Sequence, residues 1–171
     1  MTKVTFKVCA ETDKVSVTDF LLSIGEELYI DSRKTAEDIV HFTFARGGMV
    51  ASYADDQIVG VGGYLCGDPS ANFANQDIGF LYLAAVEKTY RLSRVFSRGL
   101  SFTINHLKSL GVRELRLHAR EEDPYTNRLY SHFAKPLRKE PNMRGIPCIL
   151  YSCLLEEGIH YTGKRYGSSR Y

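Results

Sequence analysis

Polar and apolar residues alternate with period two from Lys3 to Ala10, which predicts a strand. From Val15 to Ile30 the period changes. Val17, Phe20, Leu21, Ile24 and Leu28 recur at helical spacing, with Ser16 or Thr18 available as a cap. Thr35 to Phe44 predicts a second short helix with Ala36, Ile39, Val40 and Phe44 on one side, ended by Gly47-Gly48. The runs Met49–Ala54 and Ile58–Cys66 flank Asp55-Asp56-Gln57 and predict a β-hairpin. A polar loop spans Gly67 to Asn75. Asp77–Val86 is then nearly continuously apolar, the pattern of a strand covered on both faces.

A long helix follows over about Ser93–Leu110. Its buried stripe is Phe96, Gly99, Leu100, Thr103, Ile104, Leu107 and Leu110, and Gly111 takes the C′ position. Val112–Arg120 alternates strictly, with Leu115, Leu117 and Ala119 on one face and Arg116, His118 and Arg120 on the other. Asp123-Pro124 supplies an N-cap and an N1 proline for a helix that runs to about Phe133 and stops before Pro136. Pro147–Leu155 reads as the last strand. Glu156–Tyr171 is rich in Gly, Ser and Tyr and basic after Gly158, and reads as a loosely ordered tail.

The order β-α-α-β-β-β-α-β-α-β predicts an α/β (α+β) domain over residues 1–155, with residues 156–171 as a C-terminal tail. Its mixed central sheet is partly parallel and has helices on both faces. The 171 residues, 44% hydrophobic and 12% aromatic, suffice for one core and exclude wholesale disorder. The first residues have no apolar h-region, and no apolar run approaches the roughly 18 residues of a membrane span. The four cysteines (Cys9, Cys66, Cys148, Cys153) are scattered with no CxxC spacing, so free thiols in a reducing cytoplasm are expected, and no metal.

Charge changes the picture. Lys and Arg total 22 against 20 Asp and Glu, a formal +2 that argues against a nucleic-acid or membrane partner. Lys164, Arg165 and Arg170 read as solvated tail charge. Yet Lys88–Arg120 holds eight basic residues and one acid, Glu114, so this segment carries +7 and the remainder −5. Lys88, Arg91, Arg94 and Arg98 crowd the start of the long helix, where acids normally sit. A helix N-terminus with arginines is the common site for a phosphate. The alternative is a basic face paired with acids from the −5 remainder.

The stretch Tyr90-Arg91-Leu92-Ser93-Arg94-Val95-Phe96, at the turn from the apolar strand into the long helix, resembles the pyrophosphate loop Gln/Arg-x-x-Gly-x-Gly/Ala of the GCN5-related N-acetyltransferase (GNAT) family. Leu110-Gly111-Val112 and Asn127-Arg128-Leu129-Tyr130-Ser131-His132-Phe133 resemble two further family segments, and the element order fits over about Lys3 to Leu155. The chain departs from the pattern at Arg94 and Phe96, which stand in place of the loop glycines. Asp123 stands where the family often has Asn, and Ala134-Lys135 replaces Gly-Phe.

The resemblance implies an acyl-CoA N-acyltransferase-like fold. It also implies acyl transfer, usually from acetyl-CoA, to an amine acceptor. The implied cofactor-binding residues are Ala85, Val86, Arg91, Leu92, Ser93, Arg94, Val95, Phe96, Asp123 and Asn127, with a backbone N–H near Ala84–Val86 for the oxyanion. Tyr130 matches the tyrosine that protonates the departing thiolate. The strand Ile78–Val86 has no carboxylate to act as base. His118, on the charged face of the next strand, is the candidate base through water. Tyr29, Phe42 and Phe44, with Asp31, Glu37 and Asp38, are candidates for an acceptor cleft. Two alternatives stand beside this one: a GNAT-fold binding or regulatory module without transfer, and an acyltransferase using a longer acyl-CoA or an acyl-carrier protein. Edge strands and the C-terminal strand offer a homodimer surface.

Overall fold

The computed structural model describes residues 2–166. Its seven strands are β1 (Val4–Val8), β2 (Gly47–Ala54), β3 (Gln57–Cys66), β4 (Ile78–Val86), β5 (Glu114–Arg120), β6 (Lys135–Pro141) and β7 (Pro147–Leu154). The helices are α1 (Lys14–Ser23), α2 (Gly25–Leu28), α3 (Arg33–Arg46), α4 (Val95–Ser109), α5 (Pro124–Ser131) and α6 (Leu155–Tyr166). The sheet order is β1-β2-β3-β4-β5-β7-β6. The described residues form two compact units, one from residues 2–64 and 83–103, the other from residues 65–82 and 104–166.

In the first unit β1 runs antiparallel to β2, with Phe6 opposite Ser52. Helices cover both faces, as the pattern predicts. Gly99 of α4 lies against Phe6 and Ser52, whereas Thr43 of α3 lies against Gly63 of β3. The β2–β3 hairpin turns on Asp55 and Asp56, both with positive φ (48° and 63°). The helix expected from Val15 to Ile30 is two helices. The chain breaks at Ile24, and Tyr29 enters the left-handed region with φ 56°. A side chain on Gly25 would meet the Ile30 carbonyl oxygen at 2.6 Å, so this tight corner requires glycine. Neither Ser16 nor Thr18 caps α1, since it starts at Lys14, and the Thr18 hydroxyl instead donates to the Lys14 carbonyl at 2.8 Å. Gly47 and Gly48 are the first residues of β2, and α3 ends at Arg46.

In the second unit β4 pairs with β5 in parallel over Ile78–Leu81 and Glu114–Leu117. β7 joins β5 and β6 by antiparallel ladders. Leu115, Leu117 and Ala119 are buried and their neighbours are half-buried, as the alternation predicts. Gly158 of α6 packs on Ile104, Cys153 and Leu115, which places α6 on that same apolar face. Gly111 ends α4 with φ 84°, its N–H donating to Lys108 at 3.0 Å.

Two expectations fail here. β6 is absent from the predicted order, because it is an exposed edge strand with proline at both ends of Pro136–Pro141. Residues 155–166 form a helix where a loose tail was expected. Its first turn carries Glu156 and Glu157, favourable at an N-terminus, and Thr162 is buried. Gly167–Tyr171, with Arg170, lie outside the described residues.

Candidate functional site

The first unit contains the predicted anion loop. β4 ends in Ala85, which is buried, and Val86, which packs beside Ala54, Val59, Val95 and Tyr90. A short 3₁₀ turn over Lys88–Tyr90 and a turn over residues 91–94 lead into α4, so the helix starts two residues later than expected. Arg91, Leu92, Ser93 and Arg94 are exposed, Leu92 completely. Val95 is buried and anchors the loop, and Phe96 is half-buried. The Ser93 hydroxyl donates to the Tyr90 carbonyl and accepts from the Val95 N–H at 3.3 Å. No acid occupies the first turn of α4. Its leading N–H groups have no acceptor within the helix. The turn and Arg94 are exposed, and the helix start is free of acid.

Arg91 already has partners. Its Nε donates to the Val86 carbonyl at 3.0 Å, and its guanidinium pairs with Glu27. Elsewhere in the +7 segment, Lys108 pairs with Glu156 at 3.1 Å and Arg116 with Asp68 and Glu114. Arg98 sits over the Phe6 ring, 5.3 Å from its centroid. Much of the charge asymmetry is therefore answered within the protein by acids from the −5 remainder. Three of the acceptor-cleft candidates of this unit are also engaged. Asp31 accepts from Thr35 at 2.7 Å, Asp38 pairs with Lys34 at 3.1 Å, and Lys14 lies over Phe44.

The second unit contains His118, Asp123, Asn127 and Tyr130. Asp123 caps α5, accepting from the Thr126 N–H at 3.1 Å and from its hydroxyl at 2.6 Å. The Asn127 amide donates to the Arg120 and Asp123 carbonyls at 2.7 and 2.8 Å and accepts from the Tyr151 hydroxyl at 2.9 Å. The Asn127 side chain ties the end of β5 to the start of α5. Tyr130 is buried, with edge-on contacts to Phe133 (6.0 Å) and Tyr151 (5.8 Å). Burial, helped by the Asp123 charge, pushes its phenol well above the ordinary range, so it is protonated at any working pH.

His118 is the first residue of β5 past the end of the β4–β5 ladder. Its Nε2 lies 2.9 Å from Glu140 Oε1, and its ring meets Phe80 edge-on at 4.9 Å. Glu140 is absent from the sequence expectations, and no pattern in Lys135–Pro141 marks it. The same face of this unit carries a continuous polar network. Ser152 donates to Glu114, Arg116 links Glu114 to Asp68, Asp68 accepts from Ser70, and Arg138 reaches from Ser70 to Glu140. Among the described residues no group of His, Cys, Asp and Glu is arranged to hold a metal ion, and no helix is long and apolar enough to cross a membrane.

No family model and no curated protein matches the chain. Solved structures do. An acetyltransferase of the GNAT family from Staphylococcus aureus superposes with a TM-score of 0.67 at 18% identity, over 90% of this chain and 99% of the other. An aminoglycoside 6'-N-acetyltransferase complexed with coenzyme A gives 0.65 at 16% identity, over 88% and 97%. RimL, a ribosomal L7/L12 α-N-protein acetyltransferase in complex with coenzyme A, gives 0.69 at 11% identity, over 92% and 97%. The fold of this chain is that of the GNAT acyl-CoA N-acyltransferases.

Proposed function

We propose that this protein is a cytoplasmic N-acyltransferase that moves an acetyl group from acetyl-CoA, or another acyl-CoA, to an amine. The observation that carries the reading is the likeness over about nine-tenths of the chain to acetyltransferases, two of them bound to coenzyme A. At the first unit, the N–H groups at the start of α4, with Arg94, hold the phosphates. Arg91 holds the loop in shape through Glu27 and Val86 rather than serving as a free cation. Backbone near Ala85 and Val86 serves the oxyanion.

At the second unit, His118 takes the proton that the amine must lose, and Tyr130 serves the departing sulfur. Because its phenol stays neutral, Tyr130 acts as a hydrogen-bond donor and never as a base. The bond changes balance as follows. The amine nitrogen bonds to the thioester carbonyl carbon, and the carbon–sulfur bond breaks with its electron pair on sulfur. Sulfur ends as a thiol, and one proton from the ammonium reaches solvent through His118.

Calorimetric titration with acetyl-CoA and with free CoA tests this. Wild type is expected to bind in the micromolar range, and Arg91→Ala plus Arg94→Ala to lose at least tenfold in affinity, about 1.4 kcal/mol. No binding by the wild type overturns the reading. It would favour a GNAT-fold binding module instead, which the internal engagement of Arg91, Asp123 and Asn127 also suits.

A further inference from the structure

His118 and Glu140 are 22 residues apart in sequence and come from strands that are not neighbours. β7 lies between β5 and β6, and Leu150 of β7 is the partner of both His118 and Arg138. The imidazole and the carboxylate therefore meet across a whole strand, on the face that Leu150 presents. Both side chains are more than four-fifths buried, at 16% and 18% exposure. Such a contact fixes geometry more firmly than a surface pair does, because neither partner can swing into water without breaking it.

The two carboxylate oxygens of Glu140 have separate tasks. Oε2 accepts from Arg138 Nε at 2.7 Å, and Oε1 lies on His118 Nε2 at 2.9 Å. Burial works against ionisation of Glu140, but the hydrogen bonds from His118 and Arg138 outweigh it and hold the carboxyl below its ordinary value. An ionised carboxylate can only accept, so Nε2 must be the ring nitrogen that carries the hydrogen. In the neutral imidazole that leaves the lone pair on Nδ1. The Phe80 ring packs against the imidazole nearly perpendicular, at 79°. Arg138 is itself tied back to Ser70 at 3.4 Å, and Ser70 to the buried Asp68, so the whole chain of bonds holds β6 against the sheet.

We propose that Glu140 is a positioning residue that locks His118 in the Nε2–H tautomer and so makes Nδ1 the basic atom of the second unit. The logic is that of a base oriented by a third group. In the transfer reaction Nδ1 takes one proton from the ammonium, directly or through a water. Nε2–H stays bonded to Glu140, whose charge offsets the imidazolium until Nδ1 releases the proton to solvent. No other atom changes hands at the dyad. Its use in acyl transfer rests on the proposed function, whereas the tautomer does not.

Long-range proton–nitrogen spectra of ¹⁵N-labelled full-length protein read the tautomer directly, with His118→Gln identifying the signal. The expected result is one protonated nitrogen, Nε2, and one bare nitrogen, Nδ1, in the neutral imidazole of the wild type. The isosteric Glu140→Gln is expected to lose this single-tautomer pattern, because an amide can donate to Nε2 as well as accept, and Glu140→Asp to restore part of it. An unchanged tautomer in Glu140→Gln, or an Nδ1–H tautomer in the wild type, overturns the proposal. Titration of the same samples with acetyl-CoA keeps the two ideas apart. Failure of the wild type to bind removes the acyl-transfer reading and leaves the tautomer to be judged by the spectra.

Discussion

The Asp68 carboxylate, only 2% exposed, is paired with the guanidinium of Arg116. It also accepts from the Ser70 N–H at 2.8 Å and from the Ser70 hydroxyl at 2.7 Å. This pair fastens the start of the β3–β4 loop onto β5. Removing one member of a buried pair leaves the other desolvated and unmatched, at up to roughly 3–5 kcal/mol. Arg116 keeps Glu114 at 2.8 Å, so the loss in Asp68→Ala should fall lower, about 2–3 kcal/mol. Urea denaturation measures it, and a loss below about 0.5 kcal/mol would show that the pair is dispensable.

The same group makes stability depend on acid. Burial alone raises the Asp68 pKa, but the Ser70 hydrogen bonds and the Arg116 charge more than reverse this, so it titrates below 3.8. Glu114 behaves alike, with burial outweighed by Arg116 and Ser152, and titrates below 4.5. A carboxyl with a depressed folded pKa stabilises fully above its unfolded value, and the contribution drains as the pH falls through that value to the folded one. Melting temperature should therefore drop steeply below about pH 4.5 in the wild type. In Asp68→Asn the drop should be shallower. Parallel profiles for the two proteins would contradict this assignment.

The β2–β3 turn offers a gain. Asp55 and Asp56 both adopt the left-handed region, the geometry of a type I′ turn, in which Asp-Gly is favoured over Asp-Asp. A residue with a Cβ pays roughly 1–2 kcal/mol there, and glycine returns part of it through its freer unfolded chain. Asp56→Gly is expected to stabilise by about 0.5–1 kcal/mol, and Asp56→Val to destabilise. Thermal melts of the two variants should move in opposite directions. If Asp56→Gly lowers the melting temperature, the turn is not of this type.

The strand alternation of Leu115, Leu117 and Ala119, the Gly111 stop and the Asp123 cap were all legible in the sequence, because each follows from a local period or a local hydrogen-bonding need. β6 was not, since Lys135–Pro141 has almost no buried residue and its place is set by pairing with β7. Missing β6 also hid Glu140, the partner of His118. Arg91 shows the other limit. Its position before a helix suggests a phosphate ligand, but its partner Glu27 lies 64 residues away, and only the fold brings the two together. Charge counted along a segment does not reveal which acids the tertiary structure returns to it.

Thiol reactivity should follow burial rather than number. Burial raises Cys9 to about 11 and Cys153 to about 12, and both are nearly inaccessible. Burial also raises Cys148 and Cys66, but Cys148 is buried whereas Cys66 is the one half-buried cysteine of the four. Thiolate is the reactive form. At pH 8 a maleimide should label Cys66 first and leave Cys9 and Cys153 intact until denaturant is added. Peptide mapping by mass spectrometry decides this. Native labelling of Cys153 at the rate of Cys66 would be incompatible with the packing of α6 on β5 and β7.

Tyr130 separates packing from chemistry. Its ring contacts with Phe133 and Tyr151 survive in Tyr130→Phe, so the fold should be kept, with a melting temperature within about 4 °C of wild type. Its hydroxyl is what the substitution removes. If that hydroxyl serves the departing sulfur, turnover should fall by roughly 10²-fold while the KM for acetyl-CoA stays within about twofold, since the contact matters only as the carbon–sulfur bond breaks. Burial holds the phenol far above its ordinary range, so no limb of the pH–rate profile between pH 6 and 10 should disappear in the variant. Full turnover in Tyr130→Phe would make this residue part of the aromatic core of the second unit and nothing more.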